Sequence, residues 1–454
     1  MEYKHLVLQQ QAFFKTGQTR KPAFRREKLQ MMYSWINEHE KLILSALHRD
    51  LNKSPFEAYA TEIGIVKEEI RYALKHLERW MKPQFVPTPL TQFPSRSFIY
   101  PEPYGVVLIM SPWNYPFQLT AAPLLGAISA GNCAIIKPSA YSPNTSKVMV
   151  KMIRDLFAEN YVAVIEGGRS ENEALLNEHF DYIFFTGSVD VGKYVMKKAS
   201  AHLTPVSLEL GGKSPCIIDE TADIKLAAKR IVWGKLLNAG QTCIAPDYIL
   251  VHSSVKEKLI KALGKMIDKM YGDDPCNNPE YPKIVNEKHF ARLSDLLVEG
   301  RIRKGGSVKP GSCQIEPTIL DGITWESAVM QEEIFGPILP VMTYYDLSEA
   351  IEMVNARPKP LALYYFTGRR AREARILRSI SFGGGCINDT VVHVGTSHLP
   401  FGGVGSSGMG AYHGKASFDT FTHKKSIMKK SRHLDIPIRY APFRNKLNLL
   451  KKIQ

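Results

Sequence analysis

The sequence predicts an α/β protein: a doubly wound parallel sheet followed by a second α/β unit. Two observations carry this. From residue 104 onward, short apolar runs alternate with stretches of helical periodicity, and a second alternation of the same kind begins near residue 212. Chain length agrees, because 454 residues, 44% of them hydrophobic, exceed one compact core and suit two domains with a small extra element.

The first eighty residues read as helical. Tyr59, Ile63, Val66, Ile70, Ala73, Leu77 and Trp80 recur at three- and four-residue steps, which puts them on one face of a helix. Pro83 ends that pattern, and the six prolines of residues 83–103 predict an extended excursion. In the first series, strands are expected at 105–110, 134–136, 162–165 and 182–185, with helices at 119–130, 146–159 and 171–180. Strand–helix–strand units of this kind build a parallel sheet that binds ligands at the carboxyl ends of its strands. The second series places strands at 216–218 and 248–251 and helices at 222–237 and 255–270. Six glycines within residues 400–414 predict tight turns or closely packed backbone.

Composition narrows the class. A charged fraction of 23% argues against wholesale disorder. No apolar run is long enough to span a bilayer, and the N-terminus lacks the continuous apolar stretch of a signal peptide. The chain is therefore expected to be soluble and cytoplasmic. Cys133, Cys216, Cys243, Cys276, Cys313 and Cys386 show no CxxC spacing, so neither a zinc site nor a disulfide framework is expected. Free thiols suit a reducing compartment. The net charge of +15 is concentrated at the end, where residues 424–454 hold ten Lys or Arg against one acid, Asp435. Such a tail could meet nucleic acid or anionic lipid. The simpler reading is a solvated terminus, since no nucleic-acid recognition motif accompanies it.

Three segments carry chemistry. Phe184-Phe185-Thr186-Gly187-Ser188 ends a predicted strand, and Gly192 lies in the helix that follows. Small residues leading into a helix N-terminus make an anion site suited to a pyrophosphate, although an ordinary strand-to-helix turn looks the same. In Ser207-Leu208-Glu209-Leu210-Gly211-Gly212 an acid sits between apolar residues. Partial burial would raise its pKa as a general base requires; a strand-edge glutamate paired with Lys213 is the alternative. Asn238-Ala239-Gly240-Gln241-Thr242-Cys243 puts a cysteine in a small-residue loop, more accessible than a core cysteine, whereas Cys133, Cys216 and Cys386 read as inert buried hydrophobes. A reactive thiol there needs a polar setting that favours thiolate.

These segments and others bring out a resemblance. Ser111-Pro112-Trp113-Asn114-Tyr115-Pro116-Phe117, Ile136-Lys137-Pro138-Ser139, Phe185-Thr186-Gly187-Ser188, Leu208-Glu209-Leu210-Gly211-Gly212-Lys213-Ser214-Pro215, Gly240-Gln241-Thr242-Cys243-Ile244-Ala245-Pro246-Asp247-Tyr248, Glu332-Glu333-Ile334-Phe335-Gly336-Pro337 and Leu399-Pro400-Phe401-Gly402-Gly403-Val404-Gly405 occur in order. Over about residues 20–425 the chain resembles the aldehyde dehydrogenase superfamily, specifically its class 3 branch.

The resemblance implies a doubly wound NAD(P)-binding domain (residues 1–83 and 104–210), an α/β catalytic domain (211–405), a small β flap for oligomerisation (84–103 and 421–431) and a basic C-terminal tail (432–454). It also implies a homodimer. The family likeness makes Cys243 the nucleophile, Asn114 the oxyanion-binding amide and Glu209 the base that hydrolyses the thioester. Lys137 and Trp113 would meet the adenosine ribose, Gly187, Ser188 and Gly192 the pyrophosphate, Glu333 the nicotinamide ribose, and Phe335 the ring. NAD or NADP is the expected cofactor, no metal is expected, and substrates would be medium- or long-chain aliphatic or aromatic aldehydes. Where many relatives carry a glutamate against the adenine ribose, this chain has Ala140, which predicts tolerance of NADP. Glu209 weighs against transfer of the acyl group to coenzyme A. The set of Cys243, Glu209 and Asn114 weighs against a non-catalytic basic protein. Leu447-Asn448-Leu449-Leu450-Lys451-Lys452 is too short and too charged to span a membrane, and leaves only weak peripheral attachment open.

Overall fold

The computed structural model describes residues 3–453. A six-stranded sheet runs in the order Gly408–Met409, Val206–Leu210, Tyr182–Gly187, Val106–Met110, Cys133–Lys137, Val162–Val164. Its last five strands are parallel, and Gly408–Met409 joins antiparallel. The chain steps outward from Val106–Met110 through two strands, then returns to the opposite side with Tyr182–Gly187. That reversal opens a crevice between the carboxyl ends of Val106–Met110 and Tyr182–Gly187, where ligands of such sheets bind. A seven-stranded sheet has the order Arg301–Lys304, Thr318–Asp321, Ile338–Tyr344, Tyr248–His252, Pro215–Ile218, Ala362–Phe366, Gly384–Ile387, and only Arg301–Lys304 is antiparallel to its neighbour.

Burial explains why the strands read as unbroken apolar runs. Every residue of Val106–Met110 and Cys133–Lys137 is buried, as expected of parallel strands covered on both faces. Helix Gln118–Ala130, buried along its whole length, packs on those two strands and is itself covered by Gly64–Trp80. Its C-terminus stops at Gly131 in the left-handed region (φ 94°), where the N–H bonds back to the Ala127 carbonyl at 3.0 Å. The Arg25 guanidinium lies against that glycine and donates to the Thr19 and Ser129 carbonyls.

The expected elements are present with shifted ends. Helix 146–159 is Pro143–Leu156, begun by a proline at its first position, and helix 171–180 is Arg169–Leu176. The periodic face of 59–80 is interrupted at its start: Tyr59–Ile63 forms a π turn and Tyr59 is 40% exposed, whereas Ile63, Val66, Ile70, Ala73, Leu77 and Trp80 are buried. A π turn inserts one residue, so the heptad-like spacing no longer aims Tyr59 inward. The proline-rich excursion forms strands Gln84–Val86 and Ser95–Pro103, which join Thr422–Lys430 in an antiparallel three-stranded sheet. Among the described residues, no helix is long and apolar enough to cross a membrane.

Gly131→Ala puts a Cβ into a left-handed residue and against Arg25. Thermal denaturation should show a lower midpoint, with a loss of at least about 1–2 kcal/mol from the backbone alone. An unchanged midpoint would contradict this packing.

Candidate active site

The nucleophile candidate sits at the end of a strained turn. After helix Ile224–Leu236, three consecutive residues, Asn238, Ala239 and Gly240, hold φ of 53°, 51° and 77°. Left-handed alanine is costly, and such strain survives only where the surroundings over-determine it. They do so here. The Asn238 N–H donates to Glu57 Oε1 at 2.6 Å, and its side-chain amide donates to the carbonyls of Asn114 (2.8 Å) and Gln241 (3.2 Å). The Gln241 amide donates to Asn238 and Lys283 carbonyls, and its Oε1 accepts from the Val285 N–H. Thr242 Oγ1 meets the Tyr115 hydroxyl at 2.6 Å. Cys243 follows, half-buried, in the wall of a cavity of about 650 Å³ whose lining also includes Phe56, Leu119, Trp233, Met270 and Phe401.

Asn114 lies just beyond strand Val106–Met110 and is buried. Its Nδ2 donates one hydrogen to the Gln241 carbonyl at 3.1 Å, two residues before Cys243. An amide nitrogen carries two hydrogens, so the second is free for another acceptor. The pairing ties the end of the first sheet to the cysteine turn.

Glu209 occupies the fourth position of strand Val206–Leu210 and is 3% exposed. The strand is interior, flanked by Tyr182–Gly187 and Gly408–Met409, so the strand-edge reading fails. Lys213, its supposed partner, pairs with Asp247 and donates to the Val329 and Glu332 carbonyls. Neither carboxyl oxygen of Glu209 has a hydrogen-bond partner among the described residues, and burial pushes its pKa well up. Glu333 abuts Gly211, two residues on: a Cβ added there would lie 1.9 Å from its carboxyl. Burial also raises Glu333, Asp247 adds to the shift, and the Gly212 amide opposes it.

The sequence left the setting of Cys243 open. The half-buried side chain borders the cavity, and burial pushes the thiol up, with Glu333 and then Glu209 adding to the rise. Glu57, at the cavity wall, is raised by burial to about 7, against the pull of Lys53 and the Asn238 amide. Of the cysteines expected to be core hydrophobes, Cys133 and Cys216 are buried, but Cys386 is half-buried with its sulfur 3.5 Å from His393 Nδ1. A strand at the sheet margin leaves it that exposure: Gly384–Ile387 is the last strand of its sheet.

The crevice of the six-stranded sheet gathers the other expected residues. Gly187 ends its strand, and Ser188 precedes helix Val189–Ser200. Gly192 sits in the first turn, where a Cβ would lie 2.5 Å from the end of the Leu210 side chain, so the helix packs closely on the Glu209 strand. Lys137, at the end of its strand, is buried and donates to the Pro138 (2.8 Å) and Gly167 (2.7 Å) carbonyls. Trp113 and Phe335 meet edge to face at 5.3 Å, and Phe335 is itself left-handed at φ 54°. Like the Glu209 oxygens, Ser111 Oγ and Thr186 Oγ1 are buried without partners among the described residues. Unpaired buried polar atoms at strand ends, with a helix N-terminus between them, suit a polar, anionic cofactor.

Sequence reasoning missed the supporting residues Lys53, Glu57, Glu62, Tyr115 and Asn238. An Asn-Ala-Gly run after a helix hints at left-handed backbone, but the partners that hold it lie far away in sequence.

Comparison with known proteins bears on this geometry. Residues 2–427 match the model of the aldehyde dehydrogenase family. A 4,4'-diaponeurosporen-aldehyde dehydrogenase of Staphylococcus aureus is 53% identical over 97% of this chain and 96% of its own length. Human aldehyde dehydrogenase family 3 member B1 is 46% identical over 94% and 92%. Among solved structures, the substrate-bound state of Staphylococcus aureus AldH superposes with a TM-score of 0.97 at 52% identity, covering 99% of this chain and 98% of that one. An indole-3-acetaldehyde dehydrogenase complexed with NAD+ gives 0.87 at 25% identity, covering 95% and 89%. The matched span takes in both large sheets and the strained cysteine turn, and the chain belongs to the aldehyde dehydrogenase family.

Proposed function

We propose that this aldehyde dehydrogenase works by covalent catalysis on Cys243, with Glu209 as the base that activates the hydrolytic water. The observation that carries the reading is the Glu209 carboxyl, which is buried, unpartnered and electrostatically coupled to the Cys243 thiol. Sulfur attacks the aldehyde carbon and gives a thiohemiacetal. Burial, with Glu333 and then Glu209, shifts the thiol toward its protonated form. The free hydrogen of the Asn114 amide and the Cys243 backbone N–H stabilise the oxygen anion, a contribution of a few kcal/mol for fixed donors of this kind. A bound nicotinamide cofactor supplies the hydride acceptor. A thioester remains on Cys243, and Glu209 removes a proton from the water that hydrolyses it. Trp113, Lys137, Gly187, Ser188, Gly192, Glu333 and Phe335 would hold the cofactor in the sheet crevice.

The cavity beside Cys243 supports medium- or long-chain aliphatic or aromatic aldehydes as substrates, because its wall includes Phe56, Leu119, Trp233 and Met270. Likeness to an enzyme named for 4,4'-diaponeurosporen-aldehyde favours the extended apolar end of that range. Membership of the family supports NAD(P) as cofactor. Ala140, exposed after the Lys137 strand, offers no carboxylate to repel a 2′-phosphate. Lys137 already serves two carbonyls, and Glu166 and Glu171 lie near it, so we expect tolerance of NADP without strong selection for it. The three-stranded flap exposes Phe85, Tyr100, Ile427 and Met428, which suits pairing with a second copy of the chain. The basic residues beyond it would add at most a weak attraction to anionic membrane. Six unbridged thiols fit a cytoplasmic setting.

Stopped-flow measurements of NAD(P)H absorbance test the mechanism. Glu209→Gln should keep the initial burst while steady-state turnover falls about 100- to 10,000-fold. The wild-type steady state should slow as pH drops below the raised Glu209 pKa, since only the ionised carboxylate can take a proton, and the variant should lose that limb. Cys243→Ser should show no burst; equal turnover in wild type and either variant would refute the assignment.

Ala140→Glu should increase selectivity for NAD over NADP, read as the ratio of kcat/KM values, by about tenfold, equivalent to about 1.4 kcal/mol. No change would mean that position 140 does not face the phosphate.

Sedimentation velocity of the purified chain should give a dimer, and Ile427→Asp combined with Phe85→Asp should give a monomer. Unaltered sedimentation of the double variant would exclude the flap as the contact.

A further inference from the structure

A short segment, residues 53–62, ties together through its buried charged side chains the two loops that carry Asn114 and Cys243. Lys53 is fully buried, and its ammonium touches three things: Glu62 Oε1 at 2.6 Å, the Asn114 carbonyl at 3.0 Å and the face of the Tyr115 ring at 3.8 Å. The other Glu62 oxygen accepts from the backbone N–H groups of Phe117 and Gln118, where helix Gln118–Ala130 begins. Glu57, five residues earlier, accepts from the Asn238 N–H of the left-handed turn. In an α-helix, residues five apart point well away from each other, at about 100° per residue. The π turn Tyr59–Ile63 closes bonds five residues apart, which brings Glu57 and Glu62 toward one side. Asn238 completes the circuit by donating to the same Asn114 carbonyl that Lys53 holds.

A buried ion pair is a poor source of stability, because desolvation offsets its attraction. Its use here is geometric. The Asn114 loop and the Cys243 turn are separated by more than 120 residues in sequence, yet each is bonded to this one segment, and they are bonded to each other.

Resting on the reading of Cys243 and Asn114 given above, we propose that Glu57 and the Lys53–Glu62 pair are positioning residues, a brace that sets the Asn114 amide relative to the Cys243 sulfur for the transition state and contributes little to aldehyde or cofactor binding.

The test compares Glu57→Leu, which removes the acceptor for the Asn238 N–H, with Glu57→Gln, which keeps it. Glu57→Leu should lower kcat at least tenfold, leave KM for a long-chain aldehyde and Kd for NADH within about twofold, and change the rate at which iodoacetamide alkylates Cys243 in the free enzyme. Glu57→Gln should restore at least a third of wild-type kcat. Lys53→Met with Glu62→Leu removes both charges together, leaves neither ion orphaned, and should show the same loss confined to kcat; it decides the matter if Glu57→Leu does not fold. The brace is overturned if either folded variant keeps wild-type kcat, if the defect lies in KM alone, as for a mere cavity wall, or if Glu57→Gln is as impaired as Glu57→Leu. Turnover by Cys243→Ser would instead overturn the parent reading, so the two failures are distinguishable.

Discussion

Keeping three acids together away from water is the constraint on which the site depends. The Cys243 thiol and the Glu209 and Glu333 carboxyls share a buried region, and burial raises all three. Burial disfavours the charged form of each, because that form would lack solvation and would face a like charge. A lysine partner would pull a carboxyl the other way. Lys213 therefore matters by where it is not: it is engaged by Asp247 and two carbonyls, and Glu209 stays free.

The fold builds that region from two sheets. One sheet ends in Met110, Lys137, Gly187 and Leu210, and its reversal of strand order leaves a crevice beside Glu209. The helix that precedes Cys243, Ile224–Leu236, packs against the neighbouring helix Lys256–Tyr271, and its last turn breaks into left-handed backbone. That break stores strain, which is offset by hydrogen bonds to other segments: the Asn114 amide and the Glu57 carboxylate reach into the turn, and the Asn238 and Gln241 side chains reach out to the Asn114 and Lys283 carbonyls. Apolar side chains, among them Phe56, Leu119, Trp233 and Met270, line the cavity that Cys243 borders, so a hydrocarbon group placed there would gain from burial.

The two concave regions differ in character. Unpartnered Ser111, Thr186 and Glu209 atoms, among the described residues, and a helix N-terminus lie at the strand ends of the first sheet, whereas the cavity that Cys243 borders has a largely apolar wall. Packing of Trp113 on Phe335 joins the second α/β unit to the first.

Much of the architecture was legible from periodicity. Strands such as Val106–Met110 and Cys133–Lys137 announce themselves as short apolar runs because both their faces are covered, and Gln118–Ala130 does so because every residue is buried. Glu209 and Cys243 stood out in the sequence through their small and apolar neighbours and through the family resemblance. Local pattern could not reveal that Glu209 lies inside its sheet, that Tyr59 turns outward on a π turn, or that burial raises the Cys243 thiol. Each depends on groups brought close only by folding: Gly408–Met409 seals the Glu209 strand, and Glu57 and Asn114 converge on the cysteine turn from distant segments. Hydrophobic period is a property of neighbours along the chain and is written in the sequence; solvation and charge coupling are properties of neighbours in space, and only the tertiary structure decides them.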